Sequence, residues 1–412
     1  MSAAQPGVTA GEKAQAALAR ARKGASEPVL IAGGGIGGLA TAIALARKGI
    51  ATHVLESRAE LVAEGAGIQI GPNGTRILQS LGLADALKPH VGVPEAIAVR
   101  DGTSGAELTR LPLGRWIAER HGAPYWVVHR GDLHAGLVQA ARAEPLIALS
   151  TGATVTEVAA ETDAVAVATA TGETWTGKAL IGADGLWSAV RTAIAPGCVP
   201  QPAGKSAARS LIPLSEVPPQ LRTAEVGLWL FADAHVVHYP VSGGAALAIV
   251  VIVADAQGGE DWSMPVAPQW VAQRLPPCAP ALHELVAAAP AWRRWALNTL
   301  PPLPAWSRGP VTLLGDAAHA IVPFLAQGGV LALEDAAVLA ETLEGRAPAD
   351  AFRLYERRRR PRASRVARAS LQNGRIYHLS GAIAQARNLV LRFRAPERLI
   401  TRYDWLYGWH GD

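Results

Sequence analysis

A glycine-rich turn between a short apolar run and an Ala/Leu-rich stretch constrains this chain more than any other feature. Val29-Leu30-Ile31-Ala32 reads as a buried parallel strand. Gly33-Gly34-Gly35-Ile36-Gly37-Gly38 follows, and a helical pattern then runs to Lys48, where Gly49 stops it. Ala51 to Leu55 forms a second strand with Glu56 at its end. In this GxGxxG, Gly33 permits the tight turn. Gly35, next to Ile36, lets backbone approach a pyrophosphate, and Gly38 allows close helix–strand packing. The helix start supplies free N–H groups and partial positive charge to phosphates. Glu56 lies 18 residues after Gly38, placed to accept hydrogen bonds from ribose hydroxyls. The unit is a dinucleotide-binding one, and alone it does not separate NAD from FAD.

The rest of the chain is read around that unit. Its 412 residues suit two or three domains, and 50% apolar against 18% charged residues excludes disorder. Cys198 and Cys278 are the only cysteines, so a disulfide framework and a cysteine zinc site are excluded. The longest nearly unbroken apolar run, Ala245 to Ala254, falls far short of the roughly 18 residues a membrane helix needs. Residues 1–28 lack a secretory apolar core and read as a flexible or loosely helical extension, so a cytoplasmic location is expected. Lys178 to Gly182 and Val311 to Gly315 read as further buried strands. Between them, Glu225 to Ala254 alternates, with Gly243-Gly244 marking an antiparallel hairpin, and Val266 to Trp292 reads as helical. The net charge is +5, and eight arginines fall between Arg353 and Arg368. With few interleaved aromatics and Pro361 interrupting, that run is a solvated helix face rather than a nucleic-acid patch.

A second constellation favours FAD. Val311-Thr-Leu-Leu-Gly-Asp316-Ala-Ala-His319-Ala-Ile-Val-Pro323-Phe-Leu-Ala-Gln-Gly328-Gly329 leads into a helix carrying Glu334-Asp335. It resembles the GD motif of FAD-dependent aromatic hydroxylases, which implies Asp316 on the ribityl chain, with Pro323, Gly328 and Gly329 flanking the flavin. A helix start there would stabilise negative charge on reduced flavin. Ala179 to Arg191, with Asp184-Gly185, resembles the family's DG motif, associated with FAD and nicotinamide binding. Glu64 to Asn73 and Tyr403-Asp-Trp-Leu-Tyr407-Gly resemble the salicylate hydroxylase and 3-hydroxybenzoate 6-hydroxylase branch. His129-Arg130-Gly-Asp-Leu133 resembles the segment in which Arg130 reaches FAD.

The resemblance implies an α/β fold: a Rossmann-like FAD-binding domain (29–204 and 305–345), an inserted antiparallel-sheet substrate domain (205–304) and a helical C-terminal region (346–412). It also implies a monooxygenase that uses NADH or NADPH and O2 to hydroxylate a phenolic aromatic acid through a flavin hydroperoxide. It would act as a monomer or homodimer, without nucleic acid or a membrane span. His235 and Tyr239 match residues that line the substrate pocket and help remove a phenol proton. Alternation on a strand puts both on one face and turns His238 away. A His is suited to proton exchange near neutral pH. Two departures stand out: Pro323-Phe324 occupies a place where some relatives carry a substrate-contacting Gln or His, and Ala320 replaces a commonly found Pro. His319 reads as structural, and Arg209 is a candidate partner for a substrate carboxylate. The same first motif would serve a FAD-dependent dehydrogenase or oxidase, or a flavin-bound regulatory protein. A hydroxylase of an N-heteroaromatic such as a hydroxynicotinate is the nearer alternative. A second GxGxxG and a redox cysteine pair are both missing, which counts against the two-dinucleotide reductases.

Overall fold

The Val29–Ala32 strand lies at the centre of a six-stranded sheet in the computed structural model, which describes residues 9–21, 27–62, 65, 67–255 and 263–411. Its neighbours are Thr52–Leu55 on one side and Ala179–Gly182 on the other, both parallel to it; Ile147–Ser150 and Val311–Leu313 extend the sheet outward. All four residues of the central strand are buried, as a sheet covered on both faces requires. The chain steps to one side for its second strand and returns later to the other. That reversal opens a crevice beyond the carboxyl ends of the strands. The strand expected over 311–315 ends at Leu313, because Gly315 turns to φ +60° and starts the short helix Asp316–His319.

A second sheet of eight strands stands over this crevice. Its order is Ser263–Val266, Trp292–Thr299, Gln201–Pro213, Ala246–Ala254, His235–Val241, Glu225–Leu230, Ala96–Asp101 and Glu107–Pro112. The last two strands come from a segment that the sequence assigns to the FAD-binding part. They join because Ala96–Asp101 pairs in parallel with the edge of Glu225–Leu230, a long-range docking that no local pattern encodes. The eight-stranded layer is therefore wider than the 205–304 expected of a substrate domain. Within 266–292 the helices Pro268–Arg274 and Pro280–Ala287 cover the back of the sheet, where Val271, Leu282 and Leu285 pack on Ile212, Val236, Ile249 and Val251. The opposite face carries Arg209, His235 and Tyr239 towards the crevice.

Two expectations are corrected. Within the supposed extension, Ala10–Ala21 is a helix whose Ala14 and Leu18 are 1% exposed, next to the small sheet of Val155–Ala160, Val165–Thr169 and Thr174–Gly177. Thr9 and Glu12 form its capping box: Glu12 N–H donates to Thr9 Oγ1 at 3.3 Å, and Thr9 N–H to Glu12 Oε2 at 2.7 Å. In the arginine run, Pro348–Tyr377 is one helix that passes through Pro361. Arg359 is 1% exposed there, wedged against Glu334 (2.7 Å) and Asp335 (2.7 Å). Arg362 also reaches Glu334, at 2.6 Å. This helix packs on Gly328–Leu343, whose buried carboxylates demand buried cations. The remaining arginines of the run reach solvent to varying degrees. No helix among the described residues is long and apolar enough to cross a membrane.

Candidate active site

The crevice between the two sheets holds a groove of about 310 Å³. Gly35, Ile36, Asp316, Arg130, Gly328 and Gly329 border it from the nucleotide-binding layer. Gly33 sits at φ +106°, and a Cβ there would collide with the Ala183 carbonyl; one on Gly38 would collide with the Gly33 carbonyl. Gly35 and Gly328 are different, since a Cβ on either would meet no protein atom within 4 Å. Each stands at a helix start, of Ile36–Ala46 and Gly328–Leu343, and neither helix has a side-chain cap. Two sets of free N–H donors thus open on the groove with room for a ligand against the backbone.

The surrounding side chains hold this cradle in shape. Glu56 is 9% exposed: its Oε2 accepts from Gly34 N–H at 2.7 Å and its Oε1 from Arg58 N–H at 2.9 Å. Asn73 Nδ2 donates to Gln327 Oε1 at 3.0 Å and Glu334 Oε1 at 2.7 Å, tying its segment to the start of the second helix. Glu64, at the head of that segment, lies outside the described residues. His319 binds Asp335 Oδ2 at 2.6 Å. Against the cost of burial, His319 and Arg359 hold the Asp335 carboxyl down to about 2. Asp184 does not border the groove. Its Oδ2 accepts from Val190 N–H at 3.1 Å at the next helix, and burial raises its carboxyl above the usual range.

The sheet side of the groove is organised by register. Arg209 pairs with Val250, and Val250 with Val237; His235 and Tyr239 flank Val237 on the same face. All five border the groove. His238 points to the back, buried beside Trp229 with both ring nitrogens unpartnered; burial first, and Arg100 second, push it down to about 3. Arg209 has an Nε without a hydrogen-bond partner and lies 5.0 Å from the Trp295 ring centre; burial pushes its guanidinium down to about 10. Arg130 Nε is likewise unpartnered, and burial lowers that group while Asp316 opposes the shift. Two half-buried guanidinium groups, each with a buried and unpartnered Nε, face one groove and fit an anionic ligand.

A second, largely apolar chamber of about 150 Å³ adjoins the groove, lined by Ile97, Val99, Leu228, Leu230 and Tyr377. His235, Val237, Gln69, Pro323 and Ala326 border both spaces, so His235 stands on the partition. Ala326 takes φ +52°, a strained conformation at the turn into the Gly328 helix. Tyr239 has room because Gly67 lacks a side chain: a Cβ there would lie 2.9 Å from the tyrosine Cζ. Burial raises the Tyr239 hydroxyl well above its ordinary value, with Arg209 opposing. Burial and then His378 push His235 well below its ordinary value, so it is neutral at pH 7. Its Nδ1 lies 2.8 Å from His378 Nε2. Sequence reasoning missed His378, Gln69 and Tyr125, whose hydroxyl donates to Gln69 at 2.9 Å. Nothing in the local sequence around His378 marks it, as it meets His235 across 143 residues.

Comparison with known proteins places these features in context. Residues 26–370 match the family model described as an FAD binding domain. The 3-hydroxybenzoate 6-hydroxylase of Klebsiella oxytoca is 35% identical over 387 residues, covering 93% of this chain and 97% of the relative. Among solved structures, Klebsiella pneumoniae HpxO complexed with FAD and uric acid matches with a TM-score of 0.80 and 29% identity, over 91% of this chain and 95% of the other. A salicylate hydroxylase substrate complex matches with a TM-score of 0.79 and 25% identity, over 93% and 96%.

Proposed function

The chain belongs to the FAD-dependent aromatic hydroxylases, and from that premise we propose that the ring it hydroxylates is that of a phenolic aromatic acid of the hydroxybenzoate type. The carrying observation is the row of Arg209, His235 and Tyr239 on the one sheet face that bounds the groove. Gly33, Gly35, Ile36 and Gly38 would hold the FAD pyrophosphate at the first helix start, with Glu56 fixing the loop. Asp316 and Arg130 would face the middle of the cofactor, and Pro323, Gly328 and Gly329 its ring end. When bound, FAD supplies oxidation of NADH or NADPH and activation of O2.

The chain's own residues prepare the substrate. Arg209 offers an unpaired guanidinium to a carboxylate, a strong charge-assisted contact in a buried place. His235, kept neutral by burial, accepts the phenol proton at its free ring nitrogen. Tyr239, kept protonated, donates to the oxygen that is left. An oxygen carrying negative charge pushes electrons into the ring and makes it a better nucleophile. Pro323, Phe324 and the apolar chamber keep water away from the reacting carbon. Asp184 would act indirectly, by fixing the loop around Gly185. The test is a panel of hydroxybenzoates, salicylate and hydroxypyridines, scored by product mass against NAD(P)H consumed. One added oxygen in a hydroxybenzoate supports the reading; turnover of hydroxypyridines alone, or of no ring at all, overturns it.

A further inference from the structure

His235 touches His378 through a short ring–ring hydrogen bond that deprotonation of a substrate does not itself require. His235 Nδ1 lies 2.8 Å from His378 Nε2, and among the described residues His235 Nε2 has no protein hydrogen-bond partner. His235 is 3% exposed and borders both cavities. His378 is half-buried, the residue that ends the Pro348–Tyr377 helix, so it lies between His235 and solvent. Phe324 and Tyr377 wall the pair, with ring centres 5.4 and 5.3 Å from His235.

We propose that His378 is a relay residue that carries the substrate's phenol proton from His235 to solvent and returns it after the reaction. The inference rests on the hydroxylase reading. The sequence of transfers balances. The substrate O–H bond breaks and an N–H bond forms at His235 Nε2. The proton on His235 Nδ1 moves along the hydrogen bond to His378 Nε2, and His378 releases its own Nδ1 proton to water. When the product oxygen takes a proton back, the same steps run in reverse. Because the Nδ1 proton leaves as the Nε2 proton arrives, His235 passes a proton without ever holding two.

The surroundings explain why a relay is needed. A positive charge on His235 would be buried, next to His378 and near Lys205, and both disfavour it. A group so reluctant to keep a proton serves as a base only if it passes another on at once. His378 is held down to about 4 by burial, by Lys205 and by Arg387, with Asp233 opposing, so it too discharges readily near neutral pH. Lys205 donates to the Asp233 backbone carbonyl at 3.1 Å, which keeps that ammonium beside the pair.

The experiment uses the FAD-loaded enzyme in two arms. In the first, nitrogen-15 NMR of labelled histidines at about pH 7.5 reads the tautomers, with His378→Gln assigning the signals. The expected state is His235 with a proton on Nδ1 and none on Nε2. The opposite tautomer, with His378 donating to His235, overturns the relay whatever the substrate. In the second arm, 3-hydroxybenzoate or the panel member giving most product is turned over. His378→Ala should slow product formation roughly 10- to 100-fold, less than loss of the base itself, while flavin reduction keeps its rate. Imidazole added to the buffer should restore His378→Ala, an effect that a packing role would not produce. His378→Gln keeps a hydrogen-bonding side chain but cannot relay, so it should stay slow and unrescued. Wild-type rate and coupling in the Gln variant would overturn the proposal. Absence of turnover across the panel would instead overturn the hydroxylase reading and leave the tautomer result to decide the relay.

Discussion

Arg209 shows how much a single side chain's surroundings decide. A guanidinium on a sheet is ordinary, but one whose Nε is buried without a partner costs free energy until an acceptor arrives. Register sets it two strands from Val237, with Val250 between them, so a ring lying over Val237 and Val250 can meet Arg209 at one end and the His235/Tyr239 pair at the other. Removing the charge should therefore act on acidic substrates and spare neutral ones. Arg209→Gln is expected to raise KM for a hydroxybenzoate roughly 10- to 100-fold, the equivalent of about 1.5–3 kcal/mol for a hydrogen bond to a charged group. The corresponding phenol without a carboxylate should bind equally to both enzymes. Steady-state kinetics with the matched pair checks this, and an equal loss for both would remove Arg209 from carboxylate recognition.

Elements were legible in the sequence wherever their reason was local. The Val29 strand, the Gly33–Gly38 turn and the alternation of His235 to Val241 each show their pattern within ten residues. The Ala10–Ala21 helix also had a local mark, the Thr9-x-x-Glu12 box with Ala14 and Leu18 four apart, yet its lack of an apolar segment made it read as a tail. What makes it an element is the small sheet it packs beside: Val165 to Thr169 is buried at every residue and needs a cover. The Ala96–Pro112 hairpin is harder still, because its place depends on an edge more than a hundred residues away. Thr9→Ala should remove the cap and cost about 1 kcal/mol of stability, while leaving FAD affinity unchanged because the helix lies away from the groove. Thermal unfolding together with a flavin titration checks both halves, and a loss of flavin binding at unchanged stability would contradict this placement.

Over the whole molecule the candidate site was half readable. Motif glycines and strand alternation could be read, whereas Arg359, Gln69 and His378 owe their roles to partners brought from distant segments. Folding also leaves a property that no motif shows. His53, His121, His134, His235, His238 and His378, spread over both layers, are all held below their ordinary value, with burial the first cause in each. In the unfolded chain each takes up a proton near pH 6.5. Below that pH the unfolded state binds more protons than the folded one, so stability is highest above it and falls on acidification. For His235 and His238, which are fully buried, the slope approaches about 1.4 kcal/mol per pH unit each. The other four, of which His53 and His378 are half-buried, add in the same direction. His238 continues this loss down to about pH 3, where the folded protein finally accepts a proton. The thermal midpoint, measured with saturating FAD, should therefore fall steadily from about pH 7.5 to about pH 5. His238→Phe separates the contributions, because it removes a titrating group and two unpartnered nitrogens from beside Trp229 while keeping a planar ring. It should raise stability at low pH more than at high pH and flatten the slope. A variant curve parallel to the wild type would mean that His238 takes up its proton at the same pH in the folded and unfolded chains.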